Sequence, residues 1–270
     1  MQNIPMWQKL ASIDPLLLTK ARIQITNALQ LVAAAPRAYA DERSSEHIFW
    51  HPETSACVSR QFGANHDIRM VLDIPQFVLT LEGKASHKEH LVLSGITYPM
   101  AFGWVKIKLD AFSLDADLYD DRTDYTLEHA LGSDEELSVT DQKVFENIAM
   151  YMSNAQLMLE TISTELESTG LLAINPSNMN LRFHTSDKAL ELGFSLGDPM
   201  YPEPYFYILI SDQIVSRKLD KGGFSGIYNN KSWHGVVLLA TEFLSLNPED
   251  EASNVSNFFS TNISYLLENK

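Results

Sequence analysis

A chain of 270 residues with 45% hydrophobic and 20% charged side chains can bury a substantial core, as one large domain or as two packed halves, and is not composed like a disordered segment. Thirty-five acidic against 20 basic side chains leave a formal charge of −15, which weighs against a phosphate backbone or an anionic membrane surface as partner. The single cysteine, Cys57, excludes an intramolecular disulfide framework and fits a reducing compartment, so a cytoplasmic location is expected. The opening MQNIPMWQKL lacks a charged region leading into an apolar core, and no run of about 18 apolar residues offers a spanning helix, so neither export nor a membrane span is expected. The densest basic stretch, residues 217–221, contains Asp220 and no interleaved aromatics, and reads as a solvated loop.

Residues 14–36 read as a helix, with Asp14 as cap, Pro15 in the first turn and Pro36 as the stop. Leu18, Ala21, Ile25, Ala28, Leu29 and Val32 share one face, which predicts a buried stripe. After a charged loop at 37–46 come short segments rich in β-formers at 47–51, 56–62, 68–74 and 76–81. Their close spacing leaves no room for crossover helices and predicts an antiparallel meander. Residues 98–112 carry both a helical and an alternating pattern; the helix is preferred, followed by a short strand over 114–118. Residues 119–141 are acidic and turn-rich and read as the seam of the chain.

A third helix signal covers 141–168, where Ile148, Met152, Ala155, Leu159, Ile162 and Leu166 are spaced by fours and threes and Gly170 supplies the stop. Strands are expected at 178–184, 189–194, 205–211 and 235–240, then a last helix capped by Asn247 with Pro248 in its first turn. The order helix, meander, helix thus occurs twice. The fold class expected is α+β: a first half over 1–118, an acidic connection over 119–141 and a second half over 142–270, each an antiparallel meander with flanking helices, related by a pseudo-twofold axis.

Three stretches carry a resemblance: the first helix leading into HIFWHP, the YPEPYFY segment, and the closing SWHGVVLLATEFLSLNPED with the aromatic helix behind it. Together they resemble a family of uncharacterised, mainly bacterial proteins of similar length. The chain departs from that pattern at LRFHTSDKALEL, where the family strand is richer in aromatics. The resemblance implies no activity and no site.

No phosphate-binding glycine loop, dinucleotide fingerprint, zinc-protease helix, serine-hydrolase elbow or paired CxxC is present. What remains is histidines and aromatics on strands. His47 and His51 fall on one face of a strand, with Ile48 and Trp50 on the other; the two imidazoles can bind a metal or an anion, but no sequence-near carboxylate or cysteine completes a ligand set, so ordinary sheet histidines are the preferred reading. His184 occupies in the second half roughly the place of His51 in the first, and a twofold relation would let them share a pocket. The HKEH run at 87–90 lies among glycine, lysine and serine and reads as a solvated hairpin or loop. Tyr201, Glu203, Tyr205 and Tyr207 alternate and present phenols and a carboxylate to one face, suited to a small organic ligand or, more plainly, to the wet side of a buried strand. Trp233 and His234 invite the same two readings, and Cys57 reads as a small core residue.

The function expected is a binding protein for a small ligand or a protein partner, built on His47, Trp50, His51, His184, Glu203, Tyr205, Tyr207, Trp233 and His234, with no metal and no cofactor called for. The alternative is a metal-assisted or acid/base enzyme that uses His47, His51, His184 and Glu203 between the two halves.

Overall fold

The computed structural model describes residues 6–39, 48–63, 67–84, 87–120, 126–187, 189–211, 224–230, 233–245 and 247–268. The basic stretch at 217–221 and His47 lie outside the described residues. The class is α+β, with antiparallel sheets, and the chain divides into two compact units. One, the meander unit, comprises Leu16–Ala149 and Ala173–Met179; the other, the C-terminal unit, comprises Met1–Pro15, Met150–Leu172 and Asn180–Lys270.

The meander unit opens with α1 (Pro15–Tyr39), which continues through Pro36 and ends a turn beyond it. Its apolar stripe is buried as the spacing predicts, and Arg22, Asn27 and Gln30 are buried too. These polar side chains hold the acidic connection and the segment behind it. The Arg22 guanidinium donates to Glu128 at 2.7 Å, Asn27 donates to the His129 carbonyl and accepts from the Leu131 amide, and Gln30 donates to the Pro176 carbonyl at 2.9 Å. The Tyr119 hydroxyl donates to the Leu31 carbonyl, fully buried. Residues 119–141, read as a seam, are thereby stitched to α1 along their described length.

Five strands follow in simple meander order: β1 (Ile48–His51), β2 (Ala56–Ser59), β3 (Arg69–Asp73), β4 (Val78–Glu82) and β5 (Lys88–Val92), each antiparallel to the next. The expected loop around HKEH is therefore a strand over most of its length. Its residues alternate between exposed and half-buried rather than between exposed and core, the mark of an edge strand that apolar periodicity does not reveal. A two-residue strand, β6 (Ile96–Thr97), pairs with β7 (Glu136–Leu137).

Helix α2 (Tyr98–Ala111) begins where Thr97 accepts from the Met100 amide, as an N-cap does, and closes on a left-handed residue, Ser113. The Ser113 amide donates to the Asp110 carbonyl and the Leu114 amide to that of Leu109, the paired bonds of a helix-terminating loop. That loop replaces the strand expected over 114–118: the Leu114 amide is spent on the helix end and the Leu118 amide on a turn to Asp115. Helix α3 (Gln142–Glu165) is capped by Asp141, whose carboxylate accepts from the Val144 amide, and its first turns belong to this unit. The strand β8 (Ala173–Ile174) completes it.

In the C-terminal unit, α3 ends on Glu167 in the left-handed region, before the expected stop at Gly170. Gly170 has a different duty. A Cβ there would lie 2.2 Å from the His184 carbonyl oxygen, so the glycine lets the chain pass against a strand. Strands β9 (Leu181–His184), β10 (Leu190–Ser195), β11 (Tyr205–Ile210), β12 (Ile227–Asn229) and β13 (Gly235–Leu239) form an antiparallel sheet in the order β12-β13-β11-β10-β9. One face is apolar: Phe206 packs among Phe194, Phe243, Phe259 and Trp7 at centroid distances of 5.0–6.5 Å. A short helix α4 (Ala240–Phe243) and the long α5 (Pro248–Glu268) follow. Asn247 stands before α5 as expected, but its side-chain amide donates to Asp250.

The segment preceding α1 is fixed by one carboxylate. Glu251, wholly buried in the first turn of α5, accepts from the Trp7 indole at 3.2 Å, the Leu10 amide at 3.2 Å, the Ser245 amide and the Lys9 ammonium. Asn154 adds a two-way pairing with the backbone of Gln8 at 2.9 and 2.7 Å.

Candidate functional site

The aromatic candidates gather on the second face of the C-terminal sheet. Cross-strand register places Tyr207 between Gly193 of β10 and Val237 of β13, and Tyr205 between Ser195 and Leu239. Gly193 exists for Tyr207: a Cβ at that position would sit 2.5 Å from the phenol ring and its oxygen. The ring therefore lies flat across β10 and reaches Glu191, to which its hydroxyl donates at 2.8 Å. The same carboxylate accepts from Arg182 at 2.6 Å and stands 3.4 Å from the His184 imidazole. Tyr205 donates to Asp198 at 2.6 Å, and Tyr201 and Trp233 close over the two tyrosines edge-on.

Both tyrosines are only 4–5% exposed, so this face is dry at its centre. Burial and then the Glu191 charge push the Tyr207 phenol well above its ordinary value. Such a phenol is a hydrogen-bond donor locked in place. The polar tips of Tyr205, Tyr207, Asp198, Glu191 and Arg182 already have protein partners, and this is the chemistry of a satisfied network rather than of a group waiting for substrate.

Glu203 is turned away from the tyrosines. Its carboxylate accepts from the Thr241 amide at 2.7 Å and the Thr241 hydroxyl, at the start of α4. His234 is half-buried, with Nδ1 out of reach of any partner among the described residues. Trp50 and His51 belong to the meander unit: Trp50 is core, paired across from Cys57, and His51 is exposed at the end of β1. Burial pushes the Cys57 thiol up, and it is inert. Among the described residues, no three or more histidine, cysteine, aspartate or glutamate side chains are grouped to hold a metal ion.

A concave feature lies elsewhere, in the meander unit, at the C-terminal end of α2. A cavity of about 540 Å³ is lined by Asp67, Ile68, Lys84, His87 and the run 111–114. Phe112 packs against the end of β4 because Gly83 is there; a Cβ would stand 2.1 Å from its ring. His87 meets that ring edge-on at 5.1 Å, and Lys84 pairs with Asp67 at 2.9 Å across the wall. No strand-periodicity argument reaches this site, because its side chains come from loop ends and a helix terminus. The signals present in the sequence were the Gly83–Lys84 turn and the HKEH run.

Family models, curated proteins and solved structures were each compared with the chain, and none matches. No helix among the described residues is long and apolar enough to cross a membrane.

Proposed function

We propose that the chain is a cytoplasmic binding protein for a small ligand, which it takes up in the cavity at the end of α2. One observation carries this reading: a space of about 540 Å³ with an apolar floor of Ile68, Phe112 and Leu114 and charged groups on its wall. Ligand sites of this size, mostly apolar with a few placed polar groups, are the usual form. The lone, buried, unreactive Cys57 supports a reducing compartment. The test is a fragment screen followed by backbone amide NMR. Binders are expected to shift amides of residues 67–68, 84, 87 and 111–114, and Leu114→Trp is expected to abolish those shifts. Shifts that survive this filling of the cavity, or that fall elsewhere, overturn the reading.

A protein partner is the second reading, favoured by α2. Met100, Trp104 and Ile107 form a row on the helix face opposite buried Ala101, Val105 and Leu109, and Met100 and Ile107 are 61% and 69% exposed. Lys106 and Lys108 border the row beside Asp117 at 3.8 Å and Glu89 at 2.9 Å, and an apolar helix bordered by acidic residues would compete for them. A synthetic peptide with a leucine stripe and glutamate flanks is expected to shift Trp104 fluorescence in the native protein but not in Ile107→Asp. An unchanged spectrum at about 1 mM peptide, the weak end of specific binding, rules this reading out.

A further inference from the structure

The cavity wall carries both signs of charge, and that restricts what fits. Asp67 Oδ2 and Lys84 Nζ face each other at 2.9 Å, with the Asp67 side chain 22% exposed and that of Lys84 65% exposed. The lining run 111–114 is the C-terminal end of α2, whose Lys108, Leu109 and Asp110 carbonyls are taken by the amides of 112–114, so the charge on the wall is that of the side chains. A simple anion would meet Asp67 as repulsion; a simple cation would meet Lys84. A ligand bearing an ammonium and a carboxylate on one carbon satisfies both by stepping into the pair, the ammonium on Asp67, the carboxylate on Lys84. Lys84 is the exposed member of the pair and can swing aside at modest cost. Ile68, Leu114 and the Phe112 ring then offer an apolar surface to whatever projects from the charged carbon.

Resting on the small-ligand reading above, we infer that the ligand is a free α-amino acid with an apolar side chain, bound as the zwitterion between Asp67 and Lys84.

The experiment is titration calorimetry of the whole protein with three probes: L-leucine, L-leucinamide, which keeps only the ammonium, and N-acetyl-L-leucine, which keeps only the carboxylate. L-leucine is expected to bind at least about tenfold tighter than either analogue, the scale of one lost charged contact. Asp67→Asn is expected to weaken L-leucine by a similar factor and not to weaken N-acetyl-L-leucine, whose carboxylate it no longer repels. Lys84→Met is expected to weaken L-leucine and not to weaken L-leucinamide, whose ammonium it no longer repels. Both side chains sit at the surface, and unchanged circular dichroism verifies folding in each variant. If either analogue binds as tightly as L-leucine, the zwitterion assignment falls while the cavity remains a ligand site. If none of the three binds, the assignment also falls, and the fragment screen alone decides whether the cavity takes any ligand.

Discussion

At the scale of single residues, the Gly193, Tyr207 and Glu191 arrangement makes the sharpest demands. Gly193→Ala drives a methyl into a ring that cannot retreat without abandoning Glu191, and is expected to cost about 1–3 kcal/mol in urea unfolding, the usual range for overpacking. Tyr207 also imposes an alkaline limit. Its phenol keeps its proton in the folded state and loses it in the unfolded chain as pH rises through 10.0. A group whose folded value is raised contributes stability below the unfolded value, and this contribution is lost above it. Unfolding stability is therefore expected to fall above pH 10 with a component of about 1.4 kcal/mol per pH unit from this residue. Tyr39, whose phenol burial and then Asp115 push up to about 12, adds a further decline over the same window. Tyr207→Phe is expected to flatten the slope; an equal slope in the variant means that other groups set it. Sequence alternation placed Tyr205 and Tyr207 on one face, but it left that face wet. The dryness comes from Gly193 and from rings folded back from Tyr201 and Trp233, contacts that no local pattern encodes.

At the scale of elements, α2 and α3 give contrasting tests. Glu167 holds a left-handed conformation at the end of α3 that favours glycine, so Glu167→Gly is expected to stabilise by about 0.5–1 kcal/mol. On α2, Leu109→Ala is expected to cost about 2–5 kcal/mol and Ile107→Ala less than about 0.5, since only the first leaves a buried cavity. The long elements were legible because their signals are local: caps, prolines and the spacing of apolar residues located α1, α2, α3 and α5, and dense β-formers located β1 to β4, β9 to β11 and β13. Strands β5 and β12 escaped for the opposite reason. Lys88, Glu89 and His90 are polar residues held extended by a neighbouring strand, and Ile227–Asn229 is three residues long. Their structure is imposed from β4 and β13. The cavity was illegible for a related reason, since Asp67, Lys84 and Leu114 meet only once three separate segments are in place.

At the scale of the molecule, Glu251 is the feature with the longest reach. Glu251→Ala removes a buried acceptor of several bonds and is expected to cost about 2–3 kcal/mol, the scale of hydrogen bonds to charge. Trypsin is expected to cut after Lys9 sooner in that variant than in the native chain, and equal cleavage rates mean that Asn154 alone holds the segment. The same carboxylate also sets an order of events during synthesis. Trp7 and Leu10 stand 244 and 241 positions ahead of the group they bind, whereas the hairpins of β1 to β5 pair only with their neighbours. At ribosomal speeds of about 5–20 residues per second, Trp7 emerges roughly 10 to 50 s before its acceptor exists. For that interval its indole is a solvent-exposed aromatic on a nascent chain, available to a chaperone, and the C-terminal unit can close only when translation reaches α5.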